Sequence, residues 1–136
     1  MDTSRTFTVA SDENLIELIT RASQRLVVVA PAITDPVAAA LADRLQDRGN
    51  IAITVILDAD PEVYRLGYGT ESALDTVRTA SAANCFDLRV QTGVRIGMVV
   101  SDEVILLFAP VPQLIEAGST TIDKPNGIVL TGAPAA

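Results

Sequence analysis

The chain has 136 residues, 10 Lys and Arg against 17 Asp and Glu, and a formal net charge of −7. That length suits one domain, 1–136, with 1–10 and 131–136 peripheral, and a chain of this size buries roughly two-thirds of the surface it exposes when unfolded. Scattered cations and 4% aromatic residues exclude both a phosphate-tracking basic surface and a base-stacking platform, so direct nucleic-acid contact is not expected.

Alternation over Thr6–Ala10 predicts a short strand at a sheet edge. Ser11 or Asp12 caps a helix whose apolar stripe is Leu15, Ile16, Leu18, Ile19 and Ala22. Leu26–Ala30 (LVVVA) is a continuous apolar run ended by Pro31, the mark of a strand covered on both faces. Asp35-Pro36 reads as a cap with proline in the first turn, and Val37, Ala40, Leu41 and Leu45 give helical spacing up to Gly49. Ile51–Leu57 (IAITVIL) is a second buried strand, so the unit predicts a parallel pair joined by a right-handed crossover.

Asp58–Thr70 (DADPEVYRLGYGT) reads as a long irregular loop. Thr70 caps a third helix that runs to about Asn84. A short strand follows at Phe86–Val90, then a turn at Gly93. Val94–Val100 and Val104–Ala109 form a hairpin around Ser101-Asp102-Glu103, stopped by Pro110 and Pro112. Gln113–Asn126 has no clear period, Ile128–Leu130 suits a last strand, and TGAPAA a frayed tail. The sum is an α/β fold: a mixed β-sheet with helices on both faces.

Cys85 is the only cysteine, which rules out an internal disulfide and fits a reducing compartment. Before Phe86 at a helix end, it reads as a buried apolar residue. The first residues lack the basic and apolar regions of a signal peptide, and no apolar run reaches the ~18 residues of a membrane span. The expectation is a cytoplasmic protein with no membrane segment.

This order of elements, the LVVVAPAI strand end, the helix leading into RGNIAITVILD and the acidic-turned hairpin together resemble one half of the phospholipase D superfamily. The likeness runs from about Leu15 to Leu130. The family motif is His-x-Lys, four residues, Asp, six residues, Gly-Ser, two residues, Asn. Laid on this hairpin it puts Arg95 at the His position, Gly97 at the Lys, Asp102 at the Asp, Ala109-Pro110 at Gly-Ser and Gln113 at Asn. Only Asp102 matches, and the chain has no histidine anywhere.

The family's His takes the phosphoryl group and a second His protonates the leaving group. A guanidinium does neither, because it stays protonated and is not nucleophilic. The resemblance therefore implies a copy that is dead by the family mechanism. Family members use two motif copies packed face to face, which implies a homodimer here, with Met98, Val99 and the Ala109–Pro112 segment as interface candidates.

Candidate ligand-binding or interface residues are Arg95, Asp58, Asp60, Tyr64, Arg65, Tyr68 and Asp102. Arg95 suits a small anionic ligand or an interface salt bridge; the plain alternative is an outward strand charge. Asp58 and Asp60, with Asp35 and Glu62, follow strand ends, where α/β ligands gather, but turn and cap chemistry asks for the same residues. Tyr64, Arg65, Gly67, Tyr68 and Gly69 supply stacking faces in a loop whose glycines permit movement, or simply tuck that loop onto the sheet. Gly67-Tyr68-Gly69 lacks the lysine and spacing of a phosphate loop.

Ser119, Thr120 and Thr121 have no base in sequence beyond Lys124, the only lysine. No metal site and no cofactor is expected. The leading expectation is a non-catalytic domain that dimerises and binds a protein partner or small ligand. A carboxylate- and Mg²⁺-dependent phosphodiester or phosphate hydrolase, and a regulatory module of a DNA-processing or transcription protein, are the alternatives.

Overall fold

The computed structural model describes residues 4–112 and 124–131. The elements are β1 (Ser4–Thr8), α1 (Asp12–Arg21), β2 (Arg25–Ala30), α2 (Asp35–Gln46), β3 (Ala52–Leu57), α3 (Pro61–Leu66), α4 (Glu71–Ala83), β4 (Arg89–Val90), β5 (Gly97–Ser101), β6 (Val104–Phe108) and β7 (Gly127–Thr131). The strands form one sheet in the order β1-β7-β6-β5-β2-β3-β4. β3 pairs in parallel with β2 and with β4, while β2–β5, β5–β6, β6–β7 and β7–β1 are antiparallel. The sheet is thus mixed, the class is α/β, and β1 lies at an edge, as the sequence predicts.

Register assigns each side chain to a face. Leu26, Val28 and Ala30 of β2 share a face with Val55 and Leu57 of β3, Val99 of β5 and Leu106 of β6. These residues form one core with Leu18 and Ile19 of α1, Val37, Ala38 and Leu41 of α2, and Ala73, Leu74 and Val77 of α4. Continuous apolar runs in β2 and β3 are what such a covered central pair requires.

The opposite face carries an apolar row set by the same register: Phe7, Ile128, Leu107, Met98, Val29 and Ile56, one from each of six strands. The helical residues of the core named above pack with the first face, and the mixed sheet with its helices is the α/β class that the sequence predicts.

Several local readings are corrected. The α2 cap is Thr34, not Asp35, and its hydroxyl donates to the Asp12 carboxylate (2.8 Å) rather than capping its own helix. Asp35 is the first helical residue, and its carboxylate accepts from the Thr70 and Ser72 hydroxyls, tying α2 to the start of α4. α2 ends at Gln46, before Gly49.

The long loop contains α3, whose cap is the Asp60 carboxylate accepting from the Glu62 N–H (2.9 Å). Cys85 is exposed and in left-handed backbone, not buried. β5 starts at Gly97, so Arg95 precedes the strand. Ser119, Thr120 and Thr121 and the motif's Gln113 lie outside the described residues.

Candidate functional site

β3 delivers Asp58 just past its last residue, at the carboxyl end of the parallel pair. The Asp58 N–H donates to the Pro31 carbonyl (3.0 Å), which pins that turn against the end of β2. Its carboxylate is fully shielded from solvent, so every lone pair left unmet would cost free energy. Three groups meet them: the Arg95 Nη1 (2.5 Å) and the Gly93 N–H (2.9 Å) donate to Oδ2, and the Asp60 N–H (3.2 Å) to Oδ1. Burial pushes the Asp58 carboxyl up, but the Arg95 hydrogen bond, the two amides and the Arg95 charge outweigh it and hold it below the ordinary 3.8. The same Asp60 bond closes a turn in which Ala59 is left-handed (φ 61°), a conformation that non-glycine residues adopt only when held.

Arg95 is the hub. Its Nη1 also donates to the Val94 carbonyl (2.8 Å), and its guanidinium lies over the Tyr68 ring, 5.7 Å from the centroid. Its side chain remains 42% exposed. The structure thus brings Asp58, Tyr68 and Arg95 together and adds the backbone of Asp60 and Gly93. Tyr68 reaches this place because Gly69 lies flat on the Ala32–Ile33 backbone, where a Cβ would overlap the Ile33 carbonyl. That glycine serves close approach rather than movement.

The other named residues stand apart. Arg65 pairs with Glu62 (2.5 Å) on the exposed side of α3. The Tyr64 hydroxyl is buried without a partner among the described residues, and burial raises its pKa. Asp102 sits at the other end of the sheet, in the β5–β6 turn, with left-handed backbone (φ 55°). Its carboxylate accepts from the Gln24 N–H (2.7 Å), the Arg25 and Ser23 N–H groups and the Ser23 hydroxyl. The Gln24 amide leads in holding it below the ordinary 3.8, against a partial desolvation. It fastens the hairpin to the start of β2.

Two further features are ones the sequence reading missed. At the Lys position of the motif, Gly97 faces Phe108 across the β5–β6 ladder, and the Phe108 ring occupies the space a Cβ at 97 would need. Below that ring lies a cavity of about 100 Å³, lined by Leu15, Val28, Val37, Tyr68, Val99 and Phe108 among others. The signal was present as a glycine set opposite an aromatic in a hairpin, but finding it needed the register. Val99, named above as an interface candidate, is 1% exposed and belongs to the core. Among the described residues no cluster of three or more His, Cys, Asp or Glu side chains could hold a metal ion, and no helix is long and apolar enough to cross a membrane.

No protein-family model matches the sequence, and no curated protein matches it. Solved structures do match in shape. Nuc, a phospholipase D family member from Salmonella typhimurium, superposes with a TM-score of 0.65 at 14% identity, covering 98% of this chain and 86% of that one. TrmBL2, an archaeal chromatin protein described as having a novel mode of DNA binding, superposes with a TM-score of 0.52 at 12% identity. That match covers 96% of this chain and 46% of TrmBL2, so the chain spans under half of that protein. At such identities the likeness carries architecture alone, and what it establishes is that this chain has a phospholipase D-like α/β fold.

Proposed function

We propose that this is a non-catalytic phospholipase D-like domain that dimerises and binds a partner or a small ligand. The observation that carries the reading is the filling of the motif positions. Position 97 has no room for a lysine beneath the Phe108 ring. Position 95 holds a permanently protonated arginine whose Nη1 is committed to Asp58. Phosphoryl transfer by the family route needs a histidine at position 95 in each of two motif copies, one as nucleophile and one as proton donor, and the chain has no histidine.

Dimerisation is supported by the exposure of large apolar residues on one side: Phe7 is 75% exposed, Ile96 64% and Leu107 38%. Phe7 and Leu107 lie in the same cross-strand row, and Ile96 lines one groove with both. The carboxylate and Mg²⁺ reading is weakened by the occupation of both Asp58 oxygens and by Asp60 acting as a helix cap.

The likeness to TrmBL2 favours a second reading, a regulatory module in a DNA-processing or transcription protein. For such a module the charge of −7 favours protein or ligand contacts over the duplex. The test is turnover of bis-p-nitrophenyl phosphate, expected at the blank rate. Hydrolysis above blank that Arg95→Ala abolishes would overturn the reading.

A further inference from the structure

Asn126 and Gly127 stand together at the entry to β7, and the packing uses both residue types. The Asn126 side chain bridges two segments: Oδ1 accepts from the Ala10 N–H (2.9 Å) and Nδ2 donates to the Ala109 carbonyl (2.8 Å). A primary amide supplies that acceptor and that donor on one short arm. A Cβ at Gly127 would stand 3.0 Å from Leu106 Cδ1 and 3.3 Å from the Leu107 carbonyl oxygen, so a side chain there would crowd the ladder. The pair that packing selects is also a chemically labile one. Glycine has no side chain to shield its own nitrogen from the asparagine Cγ.

In the folded chain both reactants are held. The Ala109 N–H donates to the Asn126 carbonyl (2.8 Å), which turns the backbone of that residue toward β6. Bonding alternates between neighbours along an antiparallel strand. The Gly127 N–H therefore points toward β1, where Gly127 pairs with Thr8. Asn126 Oδ1 is tied to the same segment through Ala10, just past the end of β1. β1 is the outermost strand of the sheet. Its release from β7 frees the nitrogen and the side-chain amide in one event.

We infer that Asn126-Gly127 is a site of spontaneous deamidation that the pairing of β1 holds in check, and that the reaction loosens β1 in turn. The Gly127 nitrogen bonds to Asn126 Cγ, the Cγ–Nδ2 bond breaks, and Nδ2 leaves as ammonia with the Gly127 proton. Water, the only co-reactant, then opens the succinimide at either carbonyl and leaves aspartate or isoaspartate at position 126. Aspartate sets a carboxylate with no N–H against the Ala109 carbonyl. Isoaspartate adds a main-chain carbon, so the chain no longer meets Ala109 and Thr8 in one register.

The test incubates the full chain at mildly alkaline pH, folded and in urea, and maps it by peptide mass spectrometry with separation of isoaspartate. Deamidation is expected at Asn126. Asn14, Asn50 and Asn84, followed by Leu15, Ile51 and Cys85, are expected to stay intact. The rate in urea should exceed the folded rate about tenfold or more, because the folded chain reacts only when β1 opens. Alternation gives the Thr6 N–H to Val129, so Thr6→Pro removes a ladder bond and should speed the folded reaction. Sub-denaturing urea serves the same end should that variant fail to fold. Protein enriched in the product should show faster amide exchange along Thr6–Thr8 than unmodified protein.

An unfolded chain that keeps Asn126 intact would overturn the site. Equal rates folded and unfolded, or a folded rate that neither Thr6→Pro nor sub-denaturing urea raises, would overturn its control by β1. Unchanged exchange along Thr6–Thr8 after modification would overturn the loosening.

Discussion

Asp58 has no exposure and depends on one counter-charge, so its partner cannot be removed cheaply. Breaking a deeply buried ion pair from one side costs about 3–5 kcal/mol, and solvent access to Arg95 lowers that to about 2 kcal/mol here. Arg95→Ala should lose roughly that much in urea denaturation at pH 7, and Asp58→Asn in the same chain should recover part of it. The acid limb follows from Asp58 and Asp102, both held below the ordinary 3.8. A carboxyl lowered in the folded state stabilises fully above its unfolded value and loses that contribution as pH falls through the folded one. Unfolding midpoints should therefore drop only below about pH 4, and the Asp58→Asn and Asp102→Asn variants should show shallower drops. Equal slopes in wild type and variants would show that other carboxyls dominate.

Neighbouring strands decide what a single position can hold. Gly97→Ala must displace the Phe108 ring, and overpacking of this kind costs about 1–3 kcal/mol. Chemical denaturation should register that loss, while the same substitution beside Phe108→Ala should cost much less than it does alone. The hairpin itself was legible, because two apolar runs flank an acidic turn. Its start was not. Val29 pairs with Met98, which would set Arg95 opposite Ala32, past a proline with no N–H to give the ladder. Asp58 draws Gly93 and Arg95 aside at that point. α3 escaped notice because its 6 residues are too few for a period to show, although Asp60-Pro61 repeats the pattern that marked α2. Thr34 was overlooked beside Asp35 because its hydroxyl makes no capping bond.

At the scale of the whole molecule, the element order (α3 apart) and the parallel pair were written in the apolar runs, whereas the joins of β1 to β7 and of β2 to β5 were not, because they pair strands far apart in sequence. The meeting of Asp58, Tyr68 and Arg95 was not, since three separate segments supply it and no local pattern records their approach. The apolar row likewise appears only once register aligns Phe7, Ile128, Leu107 and Met98. Size-exclusion chromatography with light scattering should give twice the chain mass of 14.3 kDa. Leu107→Glu should shift that to the monomer without unfolding it. A wild-type monomer at micromolar concentration would remove the dimer from the proposal.

The pairing of β1 with β7 joins Thr8 to Gly127, nearly the two extremes of the described chain. A ladder that spans so much sequence must close a very large loop, whereas β2, β3 and the β5–β6 hairpin gain contacts from near neighbours. β1 should therefore zip on last as the chain folds and peel off first, and amide exchange is expected to be fastest along Thr6–Thr8 and slowest in β2. Peeling would bare the outer backbone of β7 beside the already exposed Phe7, leaving a sticky seam open to strand capture by another molecule.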